Sequence, residues 1–282
     1  MFGLKLNENK KKTLTIEAGK TDRRYWVDIF EYKELFYFLT WRNFVIRYKQ
    51  TVIGVAWSVI RPVITMIIFT LLFGRIANLP SDNAPYAILV FSALLPWQFF
   101  ANALQGSSES VIGNPSMVSK IYFPKIIIPT SFIIVCLVDF FISLVILGVL
   151  MMWYRIMPTL KIFYMLLFLI LDILLVLGVG FLTSALNVKY RDFKYIVPFV
   201  IQAGMFASPV GFSSNIVPDK FRMIYSLNPM VGIIDGFRWS IIGGEVNFYI
   251  PGFIISIVLV FVLLFTGMWY FRRSENTFAD KI

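Results

Sequence analysis

Asp139 and Asp172 are the residues best placed to do chemistry, because each carboxylate lies near the middle of a long apolar run. A carboxylate in hydrocarbon is costly and is often a proton-relay site. A relay needs further titratable steps, and the sequence sets no intramembrane His or Lys beside these two. Hydrogen bonding between helices, with one Asp kept protonated, is the reading they favour. Cys136, the one cysteine, sits in an apolar run and reads as a small core residue. The chain has no histidine. His/Cys metal sites, His-dependent acyl or phosphoryl chemistry and a disulfide framework are thereby excluded. "EAGKT" at 17–21 has the end of a phosphate-binding loop, but that loop needs a glycine where position 14 is Leu. The chain is not read as an ATPase. A lipid-carrier glycosyl- or acyltransferase, the alternative from another class, needs a general base or an acidic metal cluster near the membrane surface. The loops hold no Asp-x-Asp pair.

The elements around these residues are membrane helices. Of 282 residues, 58% are hydrophobic and 15% charged, with a mean hydropathy of +0.76; a soluble domain carries about 25% charge. A helix needs about 20 apolar residues to cross a bilayer. Six segments qualify, at about 55–77, 85–107, 126–153, 161–187, 195–212 and 249–271. The fifth is short and runs into "SPVGFSSNIVP", which a helix does not traverse cleanly. The net charge of +10 is read as topology rather than nucleic-acid binding, since Lys and Arg gather on the cytoplasmic side. With both termini inside, that side takes nineteen of the 26 basic residues, and Arg61 lies near its edge. The outer side keeps Arg75, Arg155, Lys161, Lys220, Arg222 and Arg238. The first 24 residues are polar and lack the apolar stretch of a signal peptide. The expected layout is a basic tail 1–30, an interfacial helix 31–50, a six-span domain 51–271 and a tail 272–282.

Three segments outside the spans stand out. In "ELFYFLTWRNFVIRYKQ", 34–50, Thr40, Asn43, Arg47 and Gln50 form one stripe against a wide arc containing Tyr37, Phe38, Trp41, Phe44 and Tyr48. This predicts an amphipathic helix in the inner interface, with Arg42 and Lys49 at its margin. "NPSMVSKIYFPKIIIP", 114–129, has Asn114 as N-cap, Pro115 at the first helical position and Pro124 as stop. A two-turn helix there exposes Met117, Val118, Ile121, Tyr122 and Phe123, which suits a groove on another protein; packing on the chain's own inner surface is the other reading. The outer segment 209–248 is apolar yet broken at Asn228-Pro229, Gly232, Gly236 and Gly243-Gly244. It reads as re-entrant half-helices, either an outer gate or a structural cap. Among the 29 Phe, 13 Tyr and 7 Trp, the residues Trp57, Phe69, Phe73, Trp97, Phe199 and Phe206 are candidates to line a pathway, by stacking on sugar rings.

"EYKELFYFLTWRNFVIRYKQTVIGVAWSVIRP" (31–62) closely resembles the first block of permease subunits of bacterial ABC exporters for lipid-linked polysaccharide. "NPSMVSKIYFPKIIIP" resembles that family's inner loop after span two, and "YSLNPMVGIIDGFRW" its segment before the last span. The likeness covers about residues 25–272 and is greatest to the O-antigen (Wzm-like) branch; capsule and teichoic acid permeases share the motifs. The resemblance implies an all-α permease in the bacterial inner membrane. Two copies would form a polymer channel, lined largely by spans one and five, and work with two copies of a separate ATPase. ATP and Mg would belong to that partner, with no cofactor here. It implies that Asn114 through Pro124, including Lys120, form a coupling helix in a cleft of the ATPase. Arg42, Arg47, Lys49 and Arg61 would meet the diphosphate of undecaprenyl-linked polysaccharide. Asn228, Pro229, Asp235 and Arg238 would belong to an outer gate at 213–245. A permease for a small amphiphile and a passive channel are the remaining transport readings.

Overall fold

A computed structural model describes residues 25–49, 55–81, 84–243 and 248–282. The tail with its Gly-Lys-Thr, Gln50 and Gly244 lie outside these residues. The chain begins with α1 (Tyr25–Glu31) and α2 (Lys33–Tyr48). Next come α3 (Val55–Phe69), continued by a π-helical stretch Thr70–Ile76, and α4 (Tyr86–Ser110). The short α5 (Pro115–Lys120) precedes α6 (Ile127–Trp153), α7 (Met165–Lys189) and α8 (Phe193–Ala207). Then follow α9 (Asp219–Tyr225), α10 (Pro229–Ile242), α11 (Ile250–Glu275) and α12 (Phe278–Lys281). The described residues hold no strand.

Five helical stretches are long and apolar enough to cross a membrane: 56–76, 86–110, 127–153, 160–189 and 250–275. They define a multi-pass membrane protein. The fifth expected segment, 195–212, is instead the 15-residue α8, which ends before Ser208-Pro209. At 1.5 Å per residue it covers about 22 Å, less than a hydrocarbon core of about 30 Å.

Helices in lipid gain nothing from excluding water, so they adhere where small residues let backbones close up. The tightest pair is α7 with α11. A Cβ on Gly267 would overlap the Gly178 carbonyl, and one on Gly178 would lie 2.6 Å from the Leu263 carbonyl carbon. α4 is the central post: 78% of its apolar window is buried, against 17% for α3. The main core gathers Phe91, Trp97, Phe140, Phe168 and Phe237.

Replacing Gly267 with Leu is expected to separate α7 from α11 at a cost of about 3 kcal/mol, the upper end for overpacking, and to lower the unfolding midpoint in detergent. Gly148 has nothing within 4 Å of its would-be Cβ. Gly148→Ala should leave the midpoint equal or slightly raised in the same assay.

Candidate functional site

The polar stripe of α2 does not face water. Asn43 and Leu39 are buried, while Tyr37, Phe38 and Trp41 on the aromatic arc are exposed. The stripe is the docking face, held against α6: Asn43 Nδ2 donates to Ser131 Oγ at 3.0 Å, and Arg47 Nη1 lies 3.4 Å from Cys136 Sγ. Arg47 ion-pairs with Asp139, whose Oδ1 also accepts hydrogen bonds from Tyr48 Oη at 2.5 Å and Ser58 Oγ at 2.6 Å. One carboxylate thus ties α2, the start of α3 and the middle of α6. Burial, with Asp139 alongside, pushes the Tyr48 hydroxyl well above the ordinary phenol range, so it stays a donor. The interhelical role expected for Asp139 is what its partners give it. Asp172 differs: both carboxyl oxygens are buried with no hydrogen-bond partner among the described residues.

Beside this ion pair lies a cavity of about 250 Å³, framed by α2, α3, α4 and α6. It brings together Arg47, Trp57 and Arg61 from the expected set with Gln98, Asn102 and Ser143, which the sequence reading passed over. A signal for two of these was present. Gln98, Asn102, Gln105 and Glu109 recur at spacings of four, three and four along this span.

The four basic residues assigned to the diphosphate separate. Arg42 Nη2 donates to Asn114 Oδ1 at 2.7 Å, and its Nη1 lies 3.7 Å from Met117 Sδ, so this guanidinium grips the loop that leads into α5. Arg47 is engaged by Asp139, and Lys49 caps the end of α2. Only Arg61 of the four stands in the cavity without a hydrogen bond or ion pair from its side chain among the described residues.

At α5, Pro115 is the first helical residue and Asn114 occupies the cap position, but its side chain makes no cap bond. Its Nδ2 donates instead to Ser110 O at 2.8 Å, tying the loop to the end of α4. The helix stops at Lys120, before Pro124, because Ile121 is already extended. Val118, Phe123 and Pro124 are buried, the first two among Phe271 and Phe278, and so cannot fill a cleft on another protein. Pro115, Ser116, Ser119, Lys120, Ile121 and Tyr122 are exposed, the last four at the rim of a cavity of about 400 Å³.

Both expected tails contribute a brace the sequence reading missed. Tyr25 Oη donates to Glu275 Oε2 at 2.8 Å, and the Lys125 amide donates to Glu275 Oε1 at 2.5 Å. Burial, then the Glu275 carboxylate, push the Tyr25 hydroxyl far up, so it too remains a donor. Phe278 of α12 completes the packing under α5. A lone aromatic in an otherwise polar tail was the available hint.

At the opposite end, Asn228 caps α10 by accepting from Met230 N at 3.1 Å, with Pro229 first in the helix. Asp235 and Arg238 are both buried, and Asp235 borders a small pocket between α9, α10 and the start of α11. Arg238 donates to the carbonyls of Leu89, Phe212 and Val210 at 3.2, 2.8 and 3.2 Å, satisfying the backbone where the chain leaves α8. Tyr86 Oη adds a bond to Gly211 O at 2.6 Å, and the Phe69 and Phe73 rings lie against Gly211. Phe69 and Trp97 are therefore packing residues and Phe73 is half-covered, whereas Trp57, Phe199 and Phe206 are 50%, 70% and 63% exposed.

A bundle of apolar helices with an uncovered aromatic face and a polar cavity among them has the form of a membrane transport subunit. The chain belongs to the ABC-2 type transporter family, whose model matches residues 34–242. It is a permease subunit and not an enzyme, and the family works with an ABC ATPase subunit. It is 26% identical to the O-antigen export system permease protein RfbA of Klebsiella pneumoniae, over 88% of this chain and 94% of that one. It is also 26% identical to the RfbA permease of Myxococcus xanthus, over 90% and 98%.

The Asp139 network is testable by a double-mutant cycle. Arg47→Met and Asp139→Asn are each expected to cost about 1–3 kcal/mol, because each strands a partly buried partner. The double variant should lose at least about 1 kcal/mol less than the sum, measured by thermal unfolding in detergent. Arg238→Lys should lower the midpoint as well, since one ammonium cannot span three carbonyls set by the guanidinium fork.

Proposed function

We propose that this chain is the membrane subunit of an ATP-driven exporter that moves undecaprenyl-diphosphate-linked O-antigen polysaccharide across the bacterial inner membrane, through a channel between two copies. The observation that carries this reading is the uncovered face beside α4. α3 and α8 both rest on α4, yet Trp57, Ile64, Ile68, Phe199 and Phe206 project from them unburied. A second copy across that face would enclose a path walled by aromatic rings, which suit sugar faces. The near full-length likeness to O-antigen export permeases favours polysaccharide over a small amphiphile.

In this reading the chain crosses six times with both termini inside. α8 makes the fifth crossing, completed by the stretch 208–212 that Arg238 and Tyr86 hold. Ser119, Lys120, Ile121 and Tyr122 meet the ATPase subunit, one per copy, while Val118 and Phe123 fix the loop from beneath. Arg61 receives the lipid diphosphate at the cavity. The outer gate consists of movable parts around α9 and the Asn228 turn, with the Arg238 clamp as its fixed frame.

Purification from the native host in mild detergent should bring down an ATP-binding partner in equal amount, with ATPase activity. Ile121→Asp/Tyr122→Asp is expected to cut both the partner and the activity at least tenfold while the permease still folds. A permease that purifies alone and supports export unchanged would overturn the reading.

A further inference from the structure

The cavity beside Asp139 holds more hydrogen-bonding capacity than its own walls use. Gln98 and Asn102 stand one turn apart on the same face of α4, half-buried, and both line the space. Ser143 stands one turn beyond Asp139 on α6. Among the described residues, the side chains of Gln98, Asn102, Ser143 and Arg61 have no hydrogen-bond or ion-pair partner. Polar side chains at membrane depth face a cavity and are retained where they bind something. Gln98 and Asn102 are half-buried, Ser143 is buried and Arg61 is exposed, so their polar groups are open to the cavity and free to bond an occupant there.

The chemistry of the walls narrows that occupant. Each carboxamide offers one acceptor and two donors in a plane, and the serine hydroxyl does both. That set matches neighbouring hydroxyl or acetamido groups on a ring better than it matches an acyl chain. Trp57 gives an apolar wall for the carbon face of such a ring. Arg61 supplies the charge that Asp139, already neutralised by Arg47, leaves unopposed. A metal ion is a poor fit, because the only carboxylate there among the described residues is engaged by three donors. The volume of about 250 Å³ suits one sugar unit rather than a stretch of polymer.

We infer that this cavity is a monosaccharide subsite that reads the sugar attached to the lipid diphosphate, with Gln98 and Asn102 as its specificity-determining residues. The inference rests on the export reading above, and it adds span two to the substrate path. Loading then depends on which sugar follows the phosphates, so the permease itself selects among carriers.

The test uses the permease–ATPase complex in lipid nanodiscs and two probes. One is undecaprenyl diphosphate; the other is the same lipid bearing a single N-acetylhexosamine. The complex is expected to bind the sugar-bearing probe at least tenfold more tightly. Gln98→Leu and Asn102→Leu should each reduce that preference to less than threefold. Asn102→Ala, which removes the amide without adding bulk, guards against a packing artefact and should do the same. Equal affinity of the unaltered complex for both probes would overturn the subsite. So would a preference that survives all three substitutions, and in either case the export reading stands. Failure of the unaltered complex to bind either probe would bring down both.

Discussion

A carboxylate set among apolar helices has to be neutralised, and at Asp139 the neutralising group comes from outside the bundle. Arg47 belongs to α2, which crosses nothing, yet its guanidinium reaches the middle of α6 and meets Asp139 there. Tyr48 and Ser58 complete the shell. Because these donors come from two elements and the acceptor from a third, the charge of one side chain sets where α2 lies and where α3 begins. The cavity lies beside this junction, lined by α2, α3, α4 and α6. Breaking such a pair strands a partly buried charge, which makes the arrangement stiff.

The other end of the molecule meets a backbone version of the same constraint. Lipid cannot bond a free carbonyl, so a chain may leave the helical conformation at membrane depth only where protein satisfies it. Arg238 does this for the stretch after α8, with Asn228 and Tyr86 closing the remaining turns. An arginine inside an apolar segment is therefore a structural rivet here. Its cost is offset by the carbonyls of Val210 and Phe212, which lie outside the helices, and by a further bond to Leu89 O.

All five of the long spans, with the short helix at α5 and the broken outer segment, were readable from hydropathy and from Pro and Gly placement, because those signals are local. α8 was overextended by the apolar letters of "SPVGF", where Pro209 and Gly211 end the helix although hydropathy continues. The amphipathic pattern of α2 was also legible, but not which way it faced. Beside a membrane the polar stripe of a helix can look toward water or toward a polar protein wall, and periodicity is identical in both cases. Here the wall wins, and with it Arg42 and Arg47 pass from binding groups to structural ones. Val118 and Phe123 were misread for a related reason. A six-residue helix shows too few turns for its spacing to reveal which side chains point home. Gln98 and Asn102 escaped notice because each is ordinary alone; only their shared face and missing partners give them meaning.

α2 carries two grips five residues apart: Arg42 on Asn114 at the head of α5, and Arg47 on Asp139 at the cavity. Five residues make about 7.5 Å of continuous helix, too short to absorb a shift by bending. A rotation that eases one grip must strain or release the other. Any free energy the two ends exchange is symmetric by linkage. Whatever factor an occupied cavity would add to the affinity of the α5 surface for a partner, a docked partner would return to the cavity.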